Sequence, residues 1–375
     1  MSFRVDPDAV DAMAMMMGRA CEAAQLFSAH ALTGADNVDE GMLLNTVFDA
    51  LDKYQALAQF NLERGFTLSG TCSETLAKAA KYYRDTEEAT AAAMDRTFPE
   101  PIQPPRTFPM QYNPPWRSFI DVYNASEDPR KPGSDYAGTA TPTEGSLKVG
   151  DGWPVLEIVG ALNEITGKIS VAQHVRDLLK FATGVDWIGR ITEYISGDWV
   201  ELMRQGMALR DISVAYGRIS ANVMRGWSDL GPRWGGNAAG TARDWLWDYA
   251  RNASLFSGFC DQAGVAVQNF ARSAYHGMQA LDIAVDFLLD ALVDVLLKAS
   301  GASDLIGTAI GMLRGTMPHE LLAGVVAGAT KVADALDLIE AAVHTLKGVA
   351  AFREGNEAVH SMAWPPLEYS HPAVP

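Results

Sequence analysis

Basic residues are scarce and form no cluster longer than Arg130-Lys131: 30 Lys and Arg stand against 46 Asp and Glu, a net charge of −16. Nucleic-acid binders concentrate positive charge on one face, so that class of partner is excluded. Cysteine is nearly absent. Cys21, Cys72 and Cys260 are too few and too scattered for a disulfide framework or a zinc site. Cys21 and Cys72 could meet across a helical hairpin, but buried free thiols are the simpler expectation. Long apolar runs are missing too. The best candidate, 281–299, is interrupted by Asp282, Asp286, Asp290 and Asp294, and a membrane span needs about 18–20 apolar residues. Four carboxylates at i+4 steps read as the solvated stripe of an amphipathic helix, because a cation site gathers its oxygens around one point. A secretory signal peptide is not expected either, since Asp6, Asp8 and Asp11 oppose Arg4 at the start.

Proline is missing where it matters most. None occurs from residue 8 to 98, ten fall between 99 and 142, and only Pro154, Pro232 and Pro318 lie between 143 and 364. Proline breaks helix interiors, so two helical regions flank an extended linker. β signals are almost absent, and the expected fold is all-α: two helical-hairpin or bundle domains with long antiparallel helices. The expected units are 1–98, the Pro-rich linker 99–150, a helical domain 151–300, C-terminal helices 301–353 and a Pro-rich tail 354–375.

In the first region, Asp6 and Pro7 read as an N-cap followed by an N1 proline. Val10, Met13, Met17, Cys21 and Ala24 then step by three or four, giving one apolar stripe. Met13, Met15, Met16 and Met17 read as adaptable core filler. After a polar break the rhythm resumes through Leu44, Val47 and Leu51 to Cys72, Leu76 and Tyr83, with Gly65 and Gly70 as weak points. In the second region, Leu209, Ile212, Tyr216, Ile219, Val223 and Leu230 form a seam that LGPRWGG stops. Asn237 is placed to cap the next helix, whose own seam runs from Ala242 and Trp245 to Leu281 and on toward Lys298.

Catalytic signatures are fragmentary, so no catalytic residue, metal or cofactor is expected. His319-Glu320 meets Ala323 where a zincin needs its second His. Gly167-Lys168 continues to Ile169, with Leu162 where a phosphate loop needs glycine. GGNAAG could hold an anion on its free amides, although a tight turn with a cap explains it better.

The second region, with Trp234-Gly235-Gly236 between two long helices and DWIGRITEYISGDW ahead of them, resembles the WXG-type hairpin of actinobacterial type VII (ESX) secretion substrates. The first, opening VDPDAVDAM and closing AAKYYRDTEEA, is similar to the EspC-like relatives of that family. Members carry a Y-x-x-x-[DE] export signal just after the hairpin's second helix, which the resemblance assigns to Tyr83 and Glu87. Four residues along a helix put these two side chains on one face, as a single recognition patch. Tyr123–Glu127 and Tyr194–Asp198 share the spacing but lie in the linker and ahead of the WXG hairpin, and Tyr275 is followed at +4 by Gln279. The second hairpin therefore has no signal of its own.

Covering about 1–95 and 185–300, the resemblance implies a non-enzymatic protein, cytoplasmic before export and then secreted or held at the cell surface. It implies recognition by the type VII secretion ATPase, and long seams that pair with each other or with a small WXG-type partner. The order of parts also resembles the N-terminal half of ESX-linked toxins, without a toxin domain. The alternatives are a membrane-inserting pore former built on 281–350, and a delivery module for a separately encoded toxin.

Overall fold

The computed structural model describes residues 3–31, 42–86, 88–97, 199–299, 319–354, 362 and 364–367, with scattered residues between 157 and 191. These residues are almost wholly helical. Helix α1 spans Pro7–Ala31, α2 Met42–Asp85, α3 Glu88–Asp95, α4 Trp199–Leu230, α5 Asn237–Ala299 and α6 His319–Glu354. Two short strands, β1 (Arg4–Val5) and β2 (Trp234–Gly235), pair antiparallel.

The N-terminus of α1 forms as its sequence directs. Asp6 Oδ1 accepts from the amides of Asp8 at 3.2 Å and Ala9 at 3.3 Å, while Pro7 takes the first helical position, where no amide is needed. Helix α2 returns antiparallel to α1. Arg84 near its C-terminus reaches Asp8 and Asp11, both at 2.9 Å, and Ser73 Oγ donates to the Ala14 carbonyl at 2.8 Å. Helices α4 and α5 are likewise antiparallel, held by serines on the seam. Ser220 Oγ donates to the Ala250 carbonyl at 2.7 Å and Ser257 Oγ to that of Ser213 at 2.8 Å.

The first hairpin does not close a core of its own. Val10, Met13, Met17, Leu62 and Leu76 share one apolar cluster with Ile212, Tyr216, Val223, Tyr249 and Phe256. The two helical regions expected as separate bundles thus meet through their cores. Each region exposes an apolar stripe wider than one hairpin partner can cover, and the two stripes cover each other. At 63 residues, or about 95 Å of helix, α5 outruns this bundle. Its second half packs on α6, the start of α2 and the start of α4 in a further cluster around Leu51, Trp199, Met278, Leu288 and Ile339. Met15 departs from the expected core: it falls off the 10–13–17 stripe and is 61% exposed.

Gly65 shows how the halves lock. Tyr216 donates to the Leu62 carbonyl and Tyr249 to the Gly65 carbonyl, both at 3.3 Å. A Cβ on Gly65 would stand 2.6 Å from the Tyr216 oxygen. Glycine to alanine inside a helix normally stabilises by about 1 kcal/mol. At Gly65 the sign reverses, and the expected cost is about 1–3 kcal/mol. Gly258, whose Cβ would meet nothing within 4 Å, should show the ordinary gain. Urea melts of the two variants side by side test the contrast.

Gly70 has a comparable reason: its Cβ would lie 3.3 Å from Cys21 Sγ. Cys21, Cys72 and Cys260 are free thiols, and burial raises the pKa of each. Asp286, Asp290 and Asp294 face solvent. Among the described residues, no helix is long and apolar enough to cross a membrane.

Candidate functional site

One end of the bundle gathers the start of α1, the end of α2, α3 and the turn between α4 and α5. Chain reversal there begins where Pro232 follows Gly231, and Arg233 N closes a turn on the Leu230 carbonyl at 2.9 Å. Trp234 and Gly235 are then extended, with Val5 opposite Trp234 and Arg4 opposite Gly235. Asp6 N continues this pairing to the Arg233 carbonyl at 2.9 Å, and the Asp6 carboxylate lies 3.8 Å from the Arg233 guanidinium. The N-terminal residues are thereby strapped across the turn.

Trp234 is 1% exposed. Its ring meets Tyr83 edge-on with centroids 6.1 Å apart, and Phe3 lies 6.2 Å from Tyr83 on another side. Tyr83 is itself buried, and burial raises its phenol pKa, with the Trp234 indole N–H acting in the opposite direction. The recognition patch expected on one open helix face is therefore not open at Tyr83. Phe3, just ahead of β1, and Trp234 of the WXG turn pack against the ring. Glu87 lies outside the described residues.

Gly236 completes the turn with φ of +127°, a conformation L side chains rarely adopt. Its carbonyl accepts from Gly240 N, so Gly236 stands at the N-cap of α5, where Asn237 was expected. A glycine cap has no side chain to satisfy the first amides. Asp95, at the end of α3, supplies one: its two oxygens accept from Asn237 N and Ala238 N, each at 2.9 Å. The anion-holding reading of GGNAAG and the capping reading thus coincide, since the anion held is the chain's own carboxylate. A Cβ at Gly236 would sit 2.5 Å from that carboxylate. Each residue of the turn then has a separate task. Trp234 fills the space over Tyr83, Gly235 runs in the strand, and Gly236 admits Asp95.

Sequence reasoning missed Asp95 and the Arg4–Val5 strand. The one local signal was a cap position filled by glycine, which asks for a carboxylate from elsewhere without saying where. Asp95→Ala should destabilise the chain by about 2 kcal/mol, the high end for a lost cap because the carboxylate is buried. Asp95→Asn keeps one acceptor and should cost less. Thermal melts of both would check that order.

Tyr275, which has Gln279 where a signal needs an acidic residue, accepts at its hydroxyl from Gln279 Nε2 at 2.8 Å. The sequence holds a second W-x-G, Trp187-Ile188-Gly189, whose first two positions lie outside the described residues; Gly189 N donates to Asp186 Oδ1 at 3.0 Å. Among the described residues, no group of His, Cys, Asp and Glu could hold a metal ion. Comparison with protein-family models, with curated proteins and with solved structures finds no significant match.

Proposed function

We propose that this chain is a non-enzymatic helical protein exported by a type VII secretion system, acting by protein–protein recognition at or beyond the cell envelope. The observation that supports it most is the meeting of two motifs 151 positions apart, Tyr83 and Trp234, in ring contact at one end of the bundle. In this reading Tyr83, from the first hairpin's signal, serves beside the turn of the second, which has no signal of its own. In this reading the secretion ATPase reads that composite end: the Tyr83 region with Glu87, backed by the WXG turn. The seams of α4 and α5 share their core with α1 and α2, which fits pairing within the chain.

The test compares culture filtrates of cells with and without a working type VII ATPase. Wild-type chain should appear only in the former. Tyr83→Ala would leave a cavity costing about 3–5 kcal/mol, so export loss in that variant would not separate signal from stability. Glu87→Gln is the cleaner probe. It should reduce export at least several-fold while the purified protein keeps the wild-type melting temperature. Undiminished export of Glu87→Gln, or secretion without the ATPase, would refute the assignment.

A further inference from the structure

The segment Trp364–Leu367 lies on the face where α2 meets α5, and side chains of those two helices form a small, specific receptacle for it. Trp364 donates its indole N–H to Asn61 Oδ1 at 2.8 Å, and its ring stands 5.6 Å from that of Tyr249. The next two carbonyls are each read by a side chain. Arg64 reaches the Pro365 oxygen at 3.5 Å, and Trp245 Nε1 donates to the Pro366 oxygen at 3.0 Å. Asn61 and Arg64 are one turn apart on α2, and Trp245 and Tyr249 one turn apart on α5, so two helix faces form the walls.

The receptacle is set by the fold. Asn61 is 1% exposed, and its Nδ2 donates to the Leu57 carbonyl at 2.8 Å, which fixes the amide with Oδ1 toward the indole. Trp245 and Tyr249 stack with planes 7° apart, and the Tyr249 hydroxyl is tied to the Gly65 carbonyl. Prolines have no amide to donate and present carbonyls from a stiff extended backbone. An aromatic wall with indole and guanidinium donors is the chemistry that recognises such a segment.

We infer that Asn61, Arg64, Trp245 and Tyr249 form a peptide-binding site for extended Trp-Pro-Pro segments, with the chain's own Trp364-Pro365-Pro366 as its resident, displaceable ligand. A partner offering the same chemistry in trans competes with that tail. Among the described residues the tail holds on by three hydrogen bonds, one ring contact and the packing of Met362 and Trp364 at the edge of the core, and Leu367 is 45% exposed. A tethered ligand acts at an effective concentration of about 1 mM. If the free peptide binds at about 100 μM, the tail lowers the apparent affinity for a competitor by about ten-fold.

Fluorescein-labelled peptide of sequence 361–370 is titrated against the full chain, a chain ending at 360, and full-length Trp364→Ala, with melting curves for each. The shortened chain and Trp364→Ala should bind saturably, and the intact chain about ten-fold more weakly. Asn61→Leu added to Trp364→Ala should abolish binding, as should alanine for tryptophan in the peptide. The proposal is overturned if folded Trp364→Ala binds no peptide, or if the intact chain binds as well as the shortened one. It is equally overturned if both altered chains fail to fold, because the segment would then be core.

Discussion

Trp234→Ala is expected to destabilise the whole chain by about 3–5 kcal/mol, the range for a fully buried Trp or Phe truncated to Ala. The side chain is 1% exposed, meets the Tyr83 ring on α2, stands opposite Val5 in the paired strands and belongs to the same buried cluster as Ala238 and Ala239 at the start of α5. Its removal opens a cavity that these neighbours cannot easily close. Tyr83 is held by Phe3 and Tyr82, and the turn backbone is fixed by Asp95 on Asn237 and Ala238. Trp234→Phe keeps a ring against Tyr83 and should cost less than half as much. Urea denaturation of the full chain is the proper measurement, because a fragment beginning near 151 would lack the helices that bury the ring. A loss below 1 kcal/mol for Trp234→Ala would mean the turn is held by its backbone pairing alone.

Helices were legible because their signals are local. The proline-free stretch 8–98 and the three-four rhythm of Val10, Met13 and Met17 follow from backbone geometry alone. So do the stop at Pro232 and the long run from Asn237 to Ala299. Features that depend on which helix lies beside which were not legible. Asp95 caps a helix 142 positions away, and nothing about an aspartate at the end of a short helix says so. The joint core was hidden for a related reason. A stripe such as Leu209, Ile212, Tyr216 and Ile219 states that a face is buried but not what buries it. Gly65, like Gly70, read only as a weak point in a helical pattern, and its partners Tyr216 and Tyr249 could not be named in advance. The Trp364-Pro365-Pro366 segment read merely as a tail, since its receptacle is built from Asn61 and Trp245, far apart in sequence. Trp234 stood between these cases. The tripeptide marked the turn, but the need for each residue appeared only with Tyr83 and Asp95 beside it.

The largest pH effect should come from Asp211, on α4 beside Arg210. Its Oδ2 is sealed from solvent and has no hydrogen-bond partner. Burial pushes the carboxyl pKa from an ordinary 3.8 up to about 8, with the Arg210 charge only partly opposing it. Between about pH 4 and 8 the folded chain therefore keeps a proton on Asp211 that the unfolded chain has lost. Wherever the folded state binds more protons, stability falls as pH rises. The contribution of Asp211 is fully present below about pH 4 and is lost as pH climbs through about 8. At about 1.4 kcal/mol per unit over roughly four units, the loss is on the order of 5 kcal/mol. Asp211→Asn keeps the shape of the protonated acid and cannot ionise. Its advantage over wild type should be small near pH 5, several kcal/mol at pH 7, and level above pH 9. Urea melts of the two proteins at pH 5, 7 and 9 measure that difference directly, because every other titrating group is common to both and cancels. Curves that stay parallel across the three pH values would show that Asp211 ionises freely in the folded chain, with water reaching Oδ2.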